Sequence, residues 1–334
     1  MGVGFRGEGG VVRRADRVVA ASPFFNERDV LRMRLLEHAG VVDCHVFCEA
    51  AWTYAGSPKP LRCAEWAVET APPLGGVETV DFGAWRLRAW ESAVGEVRVV
   101  ELVDEPPASF QDVYQPFGER ERWRRENWQR LMLGEGLPGW LADGDVVVLS
   151  DFDEVASPLV VRWYVGAGAT AMVQPAIPLH VGALNWRWRA PVPVILRLCR
   201  GERLRRRGWS LEEVRRVPGA VLWPAEEWER GRPGEVFPGD VVSAFGWHFS
   251  YLGGAEAVRF KVREAAHPEF DRPEFVGPGV VEERLRDGRD LFGRGGVRDA
   301  EWVGRVCWPG CVGADLASWR HLMVANPESP NDLW

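Results

Sequence analysis

Apolar positions fall into short blocks whose spacing changes along the chain. Arg17-Val18-Val19-Ala20-Ala21-Ser22 is a compact apolar run leading into Pro23, the pattern of a short buried strand. Leu31, Leu35 and Ala39 then recur at helical spacing. Asn26 is placed to cap that helix, Glu27 and Asp29 to meet its positive dipole end, and Gly40 to stop it. Val41 to Glu49 reads as a second strand, so the chain opens strand–helix–strand and predicts a parallel sheet. Val97–Val103 is a third strand, and residues 119–133 form an Arg-, Glu- and Trp-rich helix ending near Gly134. Asp145–Ser150 is the strongest strand of all. Beyond it, short strands alternate with Pro- and Gly-broken loops through residue 252. Residues 1–14, Gly-rich and without period, predict a flexible segment, and the stretch after Gly296 a loop-rich tail. Without an internal repeat or linker, a single domain over residues 15–334 is expected.

Composition narrows the class. A chain of 334 residues, 46% hydrophobic and 27% charged, is globular and long enough for a sizeable core, which excludes a disordered or fibrous protein. The net charge is −7, yet the 41 basic residues include only two lysines, Lys59 and Lys261. Isoleucine occurs only at positions 177 and 195, while Gly reaches 37, Pro 24 and Trp 18. That skew is the coding bias of a GC-rich genome, so abundant arginine says little about nucleic acid, whereas a surviving lysine raises the question of why it is lysine. The six cysteines lack C-x-x-C zinc spacing and are expected as buried free thiols. No apolar run approaches the ~20 residues of a membrane span, and the first residues carry no secretion signal. A cytoplasmic protein of a bacterial or phage-infected cell is therefore expected, with no membrane association and no obligatory protein partner.

The chemistry concentrates after the strongest strand, in Asp151-Phe152-Asp153-Glu154. Ligands of open α/β sheets bind beyond the carboxyl ends of strands. Residues i and i+2 of extended backbone point the same way, about 6–7 Å apart at ~3.3 Å rise per residue. Asp151 and Asp153 thus suit a shared Mg²⁺ or Mn²⁺, ions that bridge diphosphates, while the same pattern also serves as a turn or helix cap.

Several segments, in order, resemble glycosyltransferase family 17, which includes the transferases of bisecting N-acetylglucosamine. Pro23-Phe24-Phe25-Asn26-Glu27 with Asp29, Leu31, Arg34 and Leu35 is similar to its P-F-F-N-E-x-D-x-L-x-x-R-L. Val42-Asp43 through Glu49, then Thr53, Gly56 and Lys59-Pro60-Leu61, is similar to V-D-x-x-V-x-x-E-x-x-x-T-x-x-G-x-x-K-P-L. Glu126 and Arg130 resemble its E-x-x-x-R helix, and Ser150–Glu154 its S-D-x-D-E. Gly246-Trp247-His248-Phe249-Ser250-Tyr251, followed by Lys261 and His267, resembles G-W-H-x-S-x with a later lysine and histidine. The usual I-P after D-E is Val155-Ala156 here, and residues 175–240 match no part of the family pattern.

The resemblance implies a GT-A fold, that is, a Rossmann-like three-layer α/β/α domain with a mixed, mostly parallel central sheet. Residues 15–175 would bind the donor and 176–300 the acceptor. It further implies a divalent metal (Mn²⁺ or Mg²⁺) on Asp151 and Asp153 with His267, and an inverting transfer from UDP-N-acetylglucosamine to a saccharide hydroxyl. Asn26, Glu27, Glu49, Lys59, Arg130, Trp247 and Lys261 are the implied substrate contacts, and Glu154 and His248 the catalytic candidates. Both lysines stand where the family has lysine, so Lys59 and Lys261 are expected at the diphosphate. Asp240 is a further candidate base.

Two other functions compete. The run Arg197, Arg200, Arg203, Arg205, Arg206, Arg207, Arg215 and Arg216 is a solvated face on its simplest reading, but it would also track phosphates if the acceptor were a hydroxymethylated pyrimidine in DNA. The third possibility is a catalytically silent nucleotide-sugar-binding module, against which the intact Asp151/Asp153 pair argues.

Overall fold

A computed structural model describes residues 16–110, 120–180, 182–188, 191–206, 211–217, 219–222, 243–287, 289–293 and 300–324. The N-terminal 1–14, Asp240, Arg207 and the last ten residues lie outside these. The first half runs β1 (Val18–Phe24), α1 (Arg28–Glu37), β2 (Cys44–Ala50), α2 (Cys63–Thr70), β3 (Glu78–Asp81), β4 (Trp85–Ser92), β5 (Gly95–Leu102), α3 (Arg120–Met132) and β6 (Val146–Leu149). Then come β7 (Glu154–Ala156), α4 (Pro158–Gly166), β8 (Val173–Ile177), β9 (Trp186–Trp188), β10 (Val192–Pro193) and β11 (Arg197–Arg200). After these follow α5 (Gly201–Arg206), α6 (Leu211–Arg216), β12 (Ala220–Leu222), β13 (Gly246–His248), α7 (Gly254–Glu264) and β14 (Ala300–Trp302).

The main sheet has the order β10-β8-β11-β6-β1-β2-β5-β4-β3, with β12 on β8. Its centre, β6-β1-β2-β5, is parallel, and antiparallel strands extend both sides. This mixed α/β architecture is the Rossmann-like class the sequence predicted. Every residue of β1, β2 and β6 is buried, as strands covered on both faces must be. Alternate side chains feed separate cores. Phe24, Phe47, Val97 and Val99 pack with Leu31 and Leu35 of α1 and Cys63 and Ala67 of α2. Val19, Val46, Val100 and Val147 pack on Met132 and Leu133 at the end of α3. The sheet therefore lies between helical layers.

Helix α1 is not capped by Asn26. Glu27 is the N-cap residue, and its own carboxylate accepts the Phe25 and Asn26 N–H groups. Gly40, at φ 73°, makes the left-handed stop that its position in the sequence implied. The six cysteines are free, five buried and Cys311 partly so. Among the described residues, no helix is long and apolar enough to cross a membrane.

A candidate active site at the β1–β6 crevice

Chain order turns between β1 and β6: β2 and β5 follow to one side of β1, and β6 lies on the other. This is the switch point where two strand ends diverge and leave room for a ligand. The segment Phe25–Glu27 leaves β1 here, and Asp151–Glu154 leaves β6.

Arg34 of α1 holds the two exits together. Its buried guanidinium donates to Ser22 Oγ at 2.6 Å, Ser150 Oγ at 3.1 Å, and the carbonyls of Phe152 at 3.1 Å and Glu154 at 2.6 Å. Burial lowers its pKa to about 10, against the pull of Glu154 and Asp153. Phe152 turns into the core against Phe24 and Phe47, leaving both aspartates on the other side. Beyond the loop, β13 lies so close to β7 that a Cβ on Gly246 would stand 2.3 Å from the Val155 carbonyl oxygen, at φ 144°. Only glycine permits that approach, which aligns His248 opposite Glu154.

A cavity of about 240 Å³ opens above these elements, lined among others by Glu27, Tyr54, Trp123, Glu126, Arg130, Asp151, Asp153, Arg215, His248, Ser250 and Lys261. Asp151 Oδ1 accepts from Arg130 Nη2 at 3.0 Å, and its Oδ2 lies 3.4 Å from Arg215 Nη2. Asp153 Oδ2 accepts from Lys261 Nζ at 2.7 Å and Ser250 Oγ at 3.0 Å, and its Oδ1 stands 3.5 Å from His248 Nε2. Burial alone would raise both carboxyls, but Arg130 and Arg215 hold Asp151 low, and Lys261 and His248 hold Asp153 well below the usual range. Burial opposes the charged His248 imidazole, yet Asp153 outweighs it and raises the pKa. Lys261 also reaches Glu27 Oε1 at 3.3 Å. Tyr251, at φ 65°, is the one non-glycine residue in the left-handed region among those described; it lies beneath Lys261, 5.6 Å from ring centre to Nζ. A second cavity of about 400 Å³ adjoins the first, sharing Phe25, Glu27, Tyr251 and Lys261 and adding Asp29, Glu256 and Phe260.

The structure thus brings together Glu27, Arg130, Asp151, Asp153, His248 and Lys261. It sets others apart. Glu49 and Lys59 pair at 2.7 Å out of solvent, and Glu49 Oε2 accepts the Arg62 and Cys63 N–H groups at the start of α2. Among the described residues neither lines either of these two cavities, and the pair anchors the start of α2. Trp247 is buried with its indole N–H on the Cys307 carbonyl at 2.7 Å. Glu154 is also buried; its oxygens accept the Ile195 N–H at 2.9 Å and the Asp151 N–H at 3.2 Å, which makes it a brace for the loop. Burial, then Asp151, raises its pKa to about 7. Asn26 is exposed and lines the second cavity, not the first. His267 also lines the first cavity, its Nδ1 2.7 Å from Glu269 Oε1 and its ring edge-on to Trp123.

Asp151, Asp153 and His267, the ligands the resemblance implied for a metal, all line the first cavity. Among the described residues, no three His, Cys, Asp or Glu side chains are placed to hold a metal ion. The aspartate oxygens face the Arg130, Arg215 and Lys261 cations, the Ser250 hydroxyl and the His248 imidazole. Sequence reasoning gave no site role to Arg34, Ser250 and Tyr251, and named Arg215 only within the arginine run. Arg34, Ser250 and Tyr251 all lay within quoted motifs, but Arg215 sits in the region that matched nothing.

The arginine run also resolves into separate contacts. Arg197 is buried against the carbonyls of Val194, Ile195 and Leu196, and Arg200 bonds the carbonyls of Gly144 and Ala169 as well as Asp16. Arg205 pairs with Asp143, and Arg215 points into the cavity. Among the described residues this is not one solvated face.

No family model matches the chain. It is similar to three β-1,4-mannosyl-glycoprotein 4-β-N-acetylglucosaminyltransferases. The human one is 24% identical over 307 residues, 86% of this chain and 48% of the human protein. The rat protein is 24% identical and the mouse protein 23%, each over 276 residues, 77% of this chain and 44% of theirs. The likeness supports a relationship to N-acetylglucosaminyltransferases. The chain spans just under half the length of these curated relatives.

Proposed function

We propose that this protein is an inverting glycosyltransferase that moves N-acetylglucosamine from a nucleotide diphosphate sugar, UDP-N-acetylglucosamine in our reading, to a saccharide hydroxyl. The observation that carries the reading is the convergence of Arg130, Arg215 and Lys261 on the cavity at the switch point, where the diphosphate of such a donor requires positive charge. The relatives' names supply the sugar and the saccharide acceptor. Tyr54 and Trp123 offer the cavity aromatic surface for a base.

In this reading the donor occupies the first cavity and the acceptor enters from the second. Glu27, on the wall they share, takes the proton of the attacking hydroxyl. The acceptor oxygen bonds to the anomeric carbon from one face while the bond to the diphosphate oxygen breaks on the other. Its electron pair leaves with the diphosphate, whose charge Lys261 and the two arginines stabilise. Asp153 and Ser250 orient Lys261 and His248.

The test is mass spectrometry of products from UDP-N-acetylglucosamine and a panel of oligosaccharide acceptors. A mass gain of one N-acetylhexosamine is expected, with Glu27→Gln lowering turnover by about 10²–10⁴. An enzyme indifferent to that substitution would remove Glu27 from the role, and absence of both transfer and UDP binding would overturn the reading.

A further inference from the structure

The cavity offers a diphosphate an unusual partner set, and the following inference rests on the nucleotide-sugar reading above. All four carboxylate oxygens of Asp151 and Asp153 are addressed by side chains of this chain: Oδ1 and Oδ2 of Asp151 by Arg130 and Arg215, Oδ2 of Asp153 by Lys261 and Ser250, and its Oδ1 by His248. A hard divalent ion such as Mg²⁺ takes such oxygens at about 2.0–2.1 Å, and here each of the four already faces a donor of this chain. It would also sit beside the Lys261 ammonium, which is held only 2.7 Å from Asp153.

The cations come from three separate elements. Arg130 stands on α3, Arg215 on α6 and Lys261 on α7, and all three line the same cavity. An ammonium has three donors and a guanidinium five, so each can hold an aspartate and a phosphate oxygen together. Arg130 is further fixed by Glu126 at i,i−4, and Lys261 by Glu27 and the Tyr251 ring. The cations are thus oriented before a ligand arrives, each held by a carboxylate of the same cavity, and a diphosphate would bind by sharing them with Glu27, Glu126, Asp151 and Asp153. Lysine at 261, in a chain that otherwise uses arginine, suits a single ammonium reaching Asp153 at 2.7 Å and Glu27 at 3.3 Å, where a planar fork would need more room.

We propose that Lys261, Arg215 and Arg130 take the place of a divalent ion in this protein, so that the nucleotide diphosphate binds and departs on fixed side-chain cations without metal. Asp151 and Asp153 are then positioning residues that hold the cations and touch no metal. The bonds made and broken are those of the transfer above: the electron pair of the sugar–oxygen bond goes to the diphosphate, and the acceptor proton to Glu27.

Calorimetric titration of the full chain with UDP, in EDTA and again in Mn²⁺, separates the possibilities. Dissociation constants within threefold of each other in the two buffers are expected. Lys261→Met is expected to weaken UDP at least tenfold in both, and Arg215→Ala provides the same reading should Lys261→Met fail to fold. UDP binding that appears only with Mn²⁺, or tightens more than tenfold with it, would overturn the metal-free inference and leave the nucleotide reading standing. No UDP binding in either buffer would overturn the nucleotide reading, and the inference with it.

Discussion

Arg34 has no contact with the cavity, yet the loop carrying Asp151 and Asp153 rests on it. Replacing it with methionine keeps an apolar stem and removes the guanidinium. Four hydrogen bonds go: two to the carbonyls of Phe152 and Glu154, two to Ser22 and Ser150. The serine hydroxyls already lie 3.0 Å apart and can satisfy each other, but methionine gives the two carbonyls nothing. At about 1–3 kcal/mol for each deprived group, the loss is roughly 2–6 kcal/mol. Relief of the buried charge, visible in the pKa lowered to about 10, offsets part of it. A net cost of about 3 kcal/mol is expected. For a chain of this size, with an unfolding entropy of ~2.1 cal/mol/K per residue, that is a fall in melting temperature of roughly 4 °C. Urea unfolding followed by tryptophan fluorescence measures it, and UDP titration on the still-folded variant should show affinity weakened several-fold because the Asp151–Asp153 loop loses its anchor. Arg34→Lys should recover less than half, since one ammonium cannot span four acceptors. Stability within 1 kcal/mol of wild type for Arg34→Met would refute the reasoning.

Lys59→Met should cost about 2–4 kcal/mol by stranding the buried Glu49 carboxylate, while UDP affinity of the folded protein stays unchanged; a large loss of affinity would return Lys59 to the donor site. The Glu154 carboxyl, ordinarily near 4.5, is raised to about 7 by burial, so the fold favours its protonated form. Its contribution to stability is therefore complete below about pH 4.5 and lost as pH rises through about 7. Glu154→Gln should flatten that part of the stability–pH curve, and an unchanged slope would show that Glu154 does not cause it.

Legibility followed locality. The buried strands β1, β2, β5 and β6 and helices α1 and α3 announced themselves because continuous apolar runs and helical spacing are properties of neighbouring residues. Helix α2 and the β3–β4 pair did not, since the four residues of β3 are exposed and much of β4 is half-exposed, so burial imposes little pattern on them. Asp151 and Asp153 were legible from their place after β6, and Lys261 and His248 from motif order. The roles were harder. Glu49, Lys59 and Trp247 carry motif positions as convincing as those of Lys261, yet their polar atoms are spent on α2 and on the Cys307 carbonyl.

What the sequence determined by itself is the α/β class, the parallel strand–helix–strand opening and the aspartates at a strand end, because these follow from local pattern and from one topological rule. The tertiary structure alone decided which charges meet. Asp151 joins Arg130 and Arg215 across 21 and 64 residues, and Asp153 joins Lys261 across 108. Electrostatic energy depends on separation in space and on burial, and neither is written in the spacing along the chain. For the same reason two lysines alike in rarity came to different ends: Lys59 buried against a helix-anchoring glutamate, and Lys261 on the wall of the cavity.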